Sequence, residues 1–363
     1  MKKRKVKISR VILIVVILAA LIGLIFVGLN YKKQYDQEYN SLVVNFKEKS
    51  ASVELNAEVD TKDLVQDYVT ANIEYPVIDT KTLGEKKIVF KLISKNNISK
   101  EVEYIVSIVD KTAPEFKMNS PIVVLKSGDT FDPKTNVDAK ALDQGDGEVE
   151  IKIETTEIQK GSDYGVYQVI YTATDSSNNE NKKRAIFLQN CDPNTLKQPI
   201  YVDGLLIANK IFPLPKSYAP GRDAEANSQL TKMLDAAKAA GYNIPIKSAF
   251  RSYETQVGLF QHWVNELGEA QARRESAVAG YSEHQTGLSY DIGKIDESFE
   301  NTGSFTWLSE HAHEYGFIMR YPKGKEEITG YIYEPWHYRY IGRDMAIKVK
   351  ESGKTLEEYL GLY

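Results

Sequence analysis

The sequence predicts a multidomain chain with a transmembrane helix, two all-β sandwich modules and a C-terminal α+β domain. Three observations carry that prediction. "VILIVVILAALIGLIFVGL" (Val11–Leu29) is nineteen residues without a charge. "GEKKIVFKLISKNN" from Gly84 lines up with "GVYQVIYTATDSSNN" from Gly165 at a spacing of 81 residues. After Cys191 the composition shifts to helix-like stretches interleaved with short strand-like ones. The expected boundaries are a basic tail (1–10), an anchor (11–29), a linker (30–40), β modules (41–110 and 111–191) and the C-terminal domain (192–363).

A helix over Val11–Leu29 would rise about 28 Å, close to the roughly 30 Å hydrocarbon core. A cleaved signal peptide has a shorter apolar region and a small-x-small site, whereas this run ends "FVGLNYKKQ". A core helix would be amphipathic, and this run is apolar all round. An uncleaved anchor is therefore expected. Lys2, Lys3, Arg4, Lys5, Lys7 and Arg10 precede it without an acid, so the positive-inside rule predicts a cytoplasmic N-terminus and an extracellular remainder. Taking those six charges from the net charge of -4 leaves about -10 for the rest of the chain. Such a remainder argues against nucleic-acid binding, which needs basic surface to replace counterions.

In each half of the repeat a Gly precedes alternating β-branched and aromatic residues, then an Asn/Ser turn, then a second strand-like run. Those second runs are "VEYIVSIVD" (Val102–Asp110) and "KRAIFLQN" (Lys183–Asn190). Period-two alternation bounded by turn residues predicts antiparallel hairpins, and units of this length suit β-sandwiches. "DKTAPEF", "KSGDTFDP", "ALDQGDGEVEI" and "YTATDSSNN" resemble bacterial Ig-like surface modules; the segment 41–110 departs further from that pattern. "DQGDG" lacks the spaced acids and terminal Glu of an EF-hand loop and reads as a tight turn. Neither module holds a catalytic cluster, which implies a spacing or binding role, in contact with cell wall or other surface proteins. The single cysteine, Cys191, rules out an intramolecular disulfide and a Cys-based zinc cluster; it reads as a small residue at a domain boundary.

In the last third, Leu230, Met233, Leu234 and Ala237 share one face of a helix ending at Gly241, and "IPIKS" reads as a strand. "SAFRSYETQVGLFQHWVNELG" reads as a loop entering a helix with Val257, Leu259, Phe260, Trp263 and Val264 as its apolar positions. "SEHQTGLSYDIG" sets His284 and Asp291 seven residues apart. On one helix they would lie about 10.5 Å apart along the axis, and on one straight strand they would face opposite ways. Zinc donors must converge within about 4 Å, so the pair can chelate only if the chain reverses, as Gly287 permits. "YEPWHYRY" adds Glu334 and His337. Two His and one carboxylate leave an open position for water, the pattern of catalytic zinc, with a further carboxylate as base. His311 and His313 point to different faces of one segment, His262 reads as a packed or surface residue, and Tyr321 borders the cleft.

Together, "SAFRSYETQ", "SEHQTGLSYDIG" and "GFIMRYPKGKEEITGYIYEPWHYRYIG" resemble the VanY-type zinc D-alanyl-D-alanine carboxypeptidases, a family that includes L,D-carboxypeptidases. The resemblance covers about 201–363. It implies a Hedgehog/D,D-peptidase-like fold, zinc on His284, Asp291 and His337, and Glu334 as the general base for a zinc-activated water. It also implies that Arg251 grips the substrate carboxylate, with Gln256 and Ser282 lining the pocket. The chain departs from the family pattern in two places: Ala249-Phe250 replaces Gly-Tyr, and Ser289 replaces Ala. Neither removes a group the reaction needs. The implied function is removal of C-terminal D-alanine from peptidoglycan stem peptides outside the membrane. The residues leave D,D- and L,D-cleavage open, although "SEHQTGL" leans toward L,D. The alternative is a non-catalytic wall-binding or adhesion protein that uses the zinc domain for peptide recognition; a binding module, however, needs no general base.

Overall fold

The structure, a computed structural model, describes residues 2–363. Helix α1 (Lys2–Ser41) contains the expected anchor and continues through 30–40, expected to be a linker. "YKKQYDQEYN" holds neither Gly nor Pro, so nothing there ends a helix. Its apolar stretch is long enough to cross a membrane and buries none of its residues in the protein.

The chain divides into two compact units. The first comprises residues up to Ala113 with two later loops, 143–147 and 175–179. Its strands are β1 (Val43–Phe46), β2 (Ala51–Glu54), β3 (Val65–Val69), β4 (Asn72–Glu74), β5 (Gly84–Ile93) and β6 (Ser99–Val109). They form a two-stranded sheet, β1-β3, and a four-stranded sheet, β2-β6-β5-β4. Phe90, Leu92, Tyr104, Val106 and Ile108 are buried between them, with Val44, Phe46 and Val65 packed against that core.

The second unit opens with β7 (Glu115–Lys117), β8 (Ile122–Leu125), the short helix α2 (Pro133–Val137), β9 (Lys140–Asp143) and β10 (Gly147–Val149), followed by β11 (Ile151–Lys160), β12 (Gly165–Thr174) and β13 (Glu180–Gln189). Its sheets are β10-β9-β7 and β11-β12-β13-β8. The larger sheet repeats the topology of β4-β5-β6-β2, with an antiparallel hairpin whose second strand pairs in parallel with an earlier strand. The sequence repeat is thus a topological repeat.

The expected boundary at 191 separates no cores. Val169, Tyr171, Ala173, Ala185 and Phe187 fill one side of the β12-β13 hairpin. Val166, Ile186 and Leu188 fill the other, against Ile200, Phe212, Ile341, Val349 and Leu360. The unbroken apolar run "AIFL" in β13 is what burial on both faces requires.

The C-terminal part contains β14 (Tyr201–Val202), β15 (Leu205–Leu206), α3 (Ala224–Ala239), β16 (Ile246–Ser248), α4 (Tyr253–Leu267), α5 (Glu269–Glu275), β17 (Ser289–Ile292), α6 (Gly303–His311), β18 (Phe317–Met319), α7 (Glu326–Thr329), β19 (His337–Tyr340), α8 (Arg343–Ser352) and α9 (Leu356–Tyr359). Its sheet, β16-β17-β19-β18, is antiparallel throughout. Asp223 caps α3, whose buried face is Ala226, Leu230, Met233 and Ala237. Helix α4, capped by Ser252, behaves otherwise: Val257 is exposed, and the only side chain it fully buries is Gln256. Its Leu259 and Trp263 line a cleft instead.

Candidate active site

Strand register builds half of the site. Asp291 on β17 pairs with His337 on β19, which sets both side chains on one face of the sheet. His284 comes from the 3-10 turn Glu283–Thr286, and the chain then reverses at Gly287, where φ is +76°. A Cβ at Gly287 would lie 2.0 Å from the Gly221 carbonyl oxygen, so only glycine fits this reversal. One donor atom each from His284, Asp291 and His337 then lies within 4.8 Å of the others.

Each imidazole presents a defined nitrogen. His284 Nδ1 donates to the Ala249 carbonyl (2.7 Å), which leaves Nε2 as a lone pair 3.2 Å from Asp291 Oδ2. His337 presents Nδ1, 3.3 Å from Asp291 Oδ1 and 3.3 Å from Glu334 Oε2. Asp291 Oδ1 is buried without a hydrogen-bond partner. Lone pairs converging from two nitrogens and a carboxylate, one oxygen unmatched, fit a common cation, and this donor set suits zinc.

Burial and neighbouring charges compete around the centre. Burial lowers the His284 pKa and favours the neutral form a metal ligand needs. For Asp291, burial acts upward, but the His284 and His337 imidazoles hold the carboxyl below its ordinary value. Burial acts downward on His337, yet the carboxylates of Asp291, Glu283 and Glu334 outweigh it and hold its pKa well above the ordinary one. Burial raises Glu334, against the pull of His337. A carboxylate so placed is a stronger base than one in water.

Arg251 leads into α4, and its backbone amide donates to the His284 carbonyl (3.2 Å). Its Nη1 donates to Gln256 Oε1 (3.0 Å), and its Nη2 lies 3.9 Å from Asp291 Oδ2. Gln256 is fixed in turn by the Ala277 carbonyl at 2.7 Å. Gln256 thus sets the guanidinium in place, and Ser282 caps the turn that carries His284. Both also line the cleft of about 490 Å³, together with Arg251, the three candidate ligands, Glu334 and Tyr321. Tyr321 packs on the His337 ring at 4.8 Å. His262, His311 and His313 stand outside this cluster, and His311 lies 3.3 Å from Glu314.

A buried charge network supports the metal face. Glu283 is buried, and its Oε1 accepts from Arg320 Nε (2.7 Å) and Arg339 Nη1 (2.9 Å). Its Oε2 accepts from Ser289 Oγ (3.0 Å) and lies 3.4 Å from His337 Nε2. Arg320 also donates to Glu357 (2.8 Å), which Asn209 joins. The signal was present: arginines between apolar and aromatic residues in "FIMRY" and "WHYRYI" are charges in strands that must be buried, and buried charges need partners. One of these departures finds its reason here: the Ser289 hydroxyl satisfies buried Glu283, while the Ala249 carbonyl that holds His284 is backbone, which any residue would supply.

A model of the VanY D-alanyl-D-alanine carboxypeptidase family matches residues 222–343. A bifunctional D-Ala-D-Ala dipeptidase and carboxypeptidase of Enterococcus gallinarum, VanXYC, is 31% identical over 175 residues, 43% of this chain and 92% of the relative. A D-alanyl-D-alanine carboxypeptidase of Enterococcus faecalis is 37% identical over 176 residues, 43% of this chain. The chain spans only 65% of that relative and 66% of another from Bacillus subtilis, YodJ. Among solved structures, the LD-carboxypeptidase LdcB is 36% identical with a TM-score of 0.42, covering 46% of this chain and 94% of LdcB. The L,D-carboxypeptidase DacB from Streptococcus pneumoniae is 38% identical with a TM-score of 0.41, covering 58% and 97%.

Proposed function

The chain belongs to the VanY family of zinc-dependent D-alanyl-D-alanine carboxypeptidases, and from that premise we propose that it removes the C-terminal D-alanine from peptidoglycan stem peptides. The observation that carries this reading is the convergence of His284, Asp291 and His337 within 4.8 Å, beside Glu334. Bound by those three residues, Zn2+ supplies Lewis acidity at the scissile carbonyl and lowers the pKa of a water to about 7.

The chain's own groups do the rest. Glu334 accepts the proton of the attacking water and returns it to the leaving amine, which departs as free D-alanine. The Arg251 guanidinium, held by Gln256, offers a fork of donors to the substrate's terminal carboxylate. This geometry selects a free C-terminus and so an exopeptidase. Helix α1 would anchor the chain with the catalytic domain outside the membrane, where the substrate lies. The two β modules would act as Ig-like spacers that hold the catalytic part out in the wall.

The test is to incubate the full chain with tetrapeptide and pentapeptide muropeptides and weigh the products. Loss of one alanine, abolished by a chelator and by Glu334→Ala, is expected. Unchanged peptides would favour a wall-binding protein instead. The two substrates separate L,D- from D,D-cleavage, and equal cleavage of an amidated peptide would overturn the role of Arg251.

A further inference from the structure

Within the first compact unit, three carboxylates meet far from the peptidase site. Asp110 directly follows β6, Asp143 is the last residue of β9 and begins the loop 143–147, and Asp175 directly follows β12 at the start of the loop 175–179. All three are more than nine-tenths buried, and one oxygen from each lies within 4.8 Å of the others. No lysine, arginine or histidine nitrogen among the described residues lies within 4.0 Å of them. Like charges brought together out of water repel strongly, and a cation held between them relieves that repulsion.

The hydrogen bonds orient these groups without neutralising them. Asp110 Oδ1 accepts from the Thr112 amide (3.1 Å), and Asp175 Oδ1 from the Asn179 amide (2.8 Å). Asp143 Oδ1 accepts from the amides of Gly145 (2.7 Å) and Asp146 (3.0 Å). That is the tight turn expected of "DQGDG", and it serves only one oxygen. Asp143 Oδ2 is buried with no partner at all. Gly145 is part of the same construction: a Cβ there would lie 3.2 Å from Asp110 Oδ2 and 2.9 Å from Leu55.

We propose that Asp110, Asp143 and Asp175 form a calcium site in the first unit, independent of the catalytic zinc centre. Oxygen donors without nitrogen or sulfur select a hard cation over zinc or copper. Calcium accepts oxygens at about 2.3–2.6 Å in a flexible geometry, which three oxygens lying within 4.8 Å of one another can supply, whereas magnesium demands a near-ideal octahedron. The bound ion would tie the two loops to the end of β6, so calcium would stiffen this unit.

The experiment uses the full-length, zinc-loaded chain titrated with CaCl2, followed by isothermal calorimetry and thermal unfolding. One equivalent of calcium and a midpoint that rises with its concentration are expected. Asp143→Asn and Asp175→Asn should each weaken binding by about tenfold or more, because ligand charge sets calcium affinity. In calcium-free buffer both variants should be at least as stable as the parent, since each relieves repulsion; a purely structural aspartate would lose stability instead. Glu334→Gln should bind calcium as the parent does. The proposal is overturned by the absence of heat and midpoint shift up to about 10 mM calcium, well above the affinity of extracellular sites. It is equally overturned by undiminished binding in both aspartate variants, or by magnesium binding as tightly as calcium.

Discussion

Replacing Glu283 by Gln tests whether the buried charge network holds the catalytic centre in place. Glu283, Arg320, Arg339 and Glu357 form an internally neutral set of two acids and two arginines, all within the core. Burial alone would raise the Glu283 carboxyl, but the two guanidiniums hold it well below its ordinary value. Without that charge, Arg320 still has Glu357, while Arg339 keeps only the carbonyls of Leu206 (2.7 Å) and Tyr340 (3.0 Å). Leaving a buried charge unmatched costs about 3–5 kcal/mol. In a unit of this size each kcal/mol moves the midpoint by about 2–4 °C, so a fall of about 6–20 °C is expected. The comparison is Glu269→Gln, which breaks the solvent-exposed pair with Arg273 (2.7 Å) and should shift the midpoint by no more than about 1–2 °C. Differential scanning calorimetry of both variants with zinc measures the contrast. If Glu283→Gln falls by no more than Glu269→Gln, the network does not bear the stability assigned to it. Because Glu283 also faces His337 Nε2, zinc affinity should drop about 10–100-fold in the same variant.

Other expectations follow from the same geometry. Arg251→Lys keeps the charge but loses the fork, so kcat/KM should fall about 10–100-fold, the value of one or two charge-assisted bonds. Glu334→Gln should lose about 10²–10⁴ in kcat while zinc content by elemental analysis stays unchanged. Burial pushes the Cys191 thiol up to about 12 from an ordinary value of 9.0. At pH 9 the native chain should therefore resist alkylation by iodoacetamide, whereas the unfolded chain reacts. Stability from the neutral thiol is complete below about pH 9 and is lost as pH rises toward 12. Rapid native labelling at pH 9 would contradict the raised pKa of this half-buried thiol.

Some of this protein is local and could be read from residues in order. The apolar run of α1, the amphipathic stripe of α3 and the alternation in β5 and β12 follow from short-range periodicity, which the chain carries whatever its surroundings. Gly287 is equally local, because the reversal between His284 and Asp291 has to occur within seven residues. The linker failed for the opposite reason: no local signal stops α1 before Ser41.

What remained hidden depends on elements that meet only in three dimensions. The pairing of Asp291 with His337 is a matter of strand register over 46 residues of chain. The shared core across residue 191 exists because β12 and β13 are covered on both faces, and periodicity within one strand does not reveal its neighbours. Ser282 and Gln256, read as pocket residues, also hold the His284 turn and the Arg251 guanidinium through contacts sequence spacing does not specify. The clearest case is charge. Asp143 in "DQGDG" is a turn residue by itself, and Glu283 in "SEHQTG" is one more acid. The sequence determined which groups carry charge and where the chain turns. Only tertiary packing decided which charges lose their water, and a charge without water must find either a partner side chain or a metal.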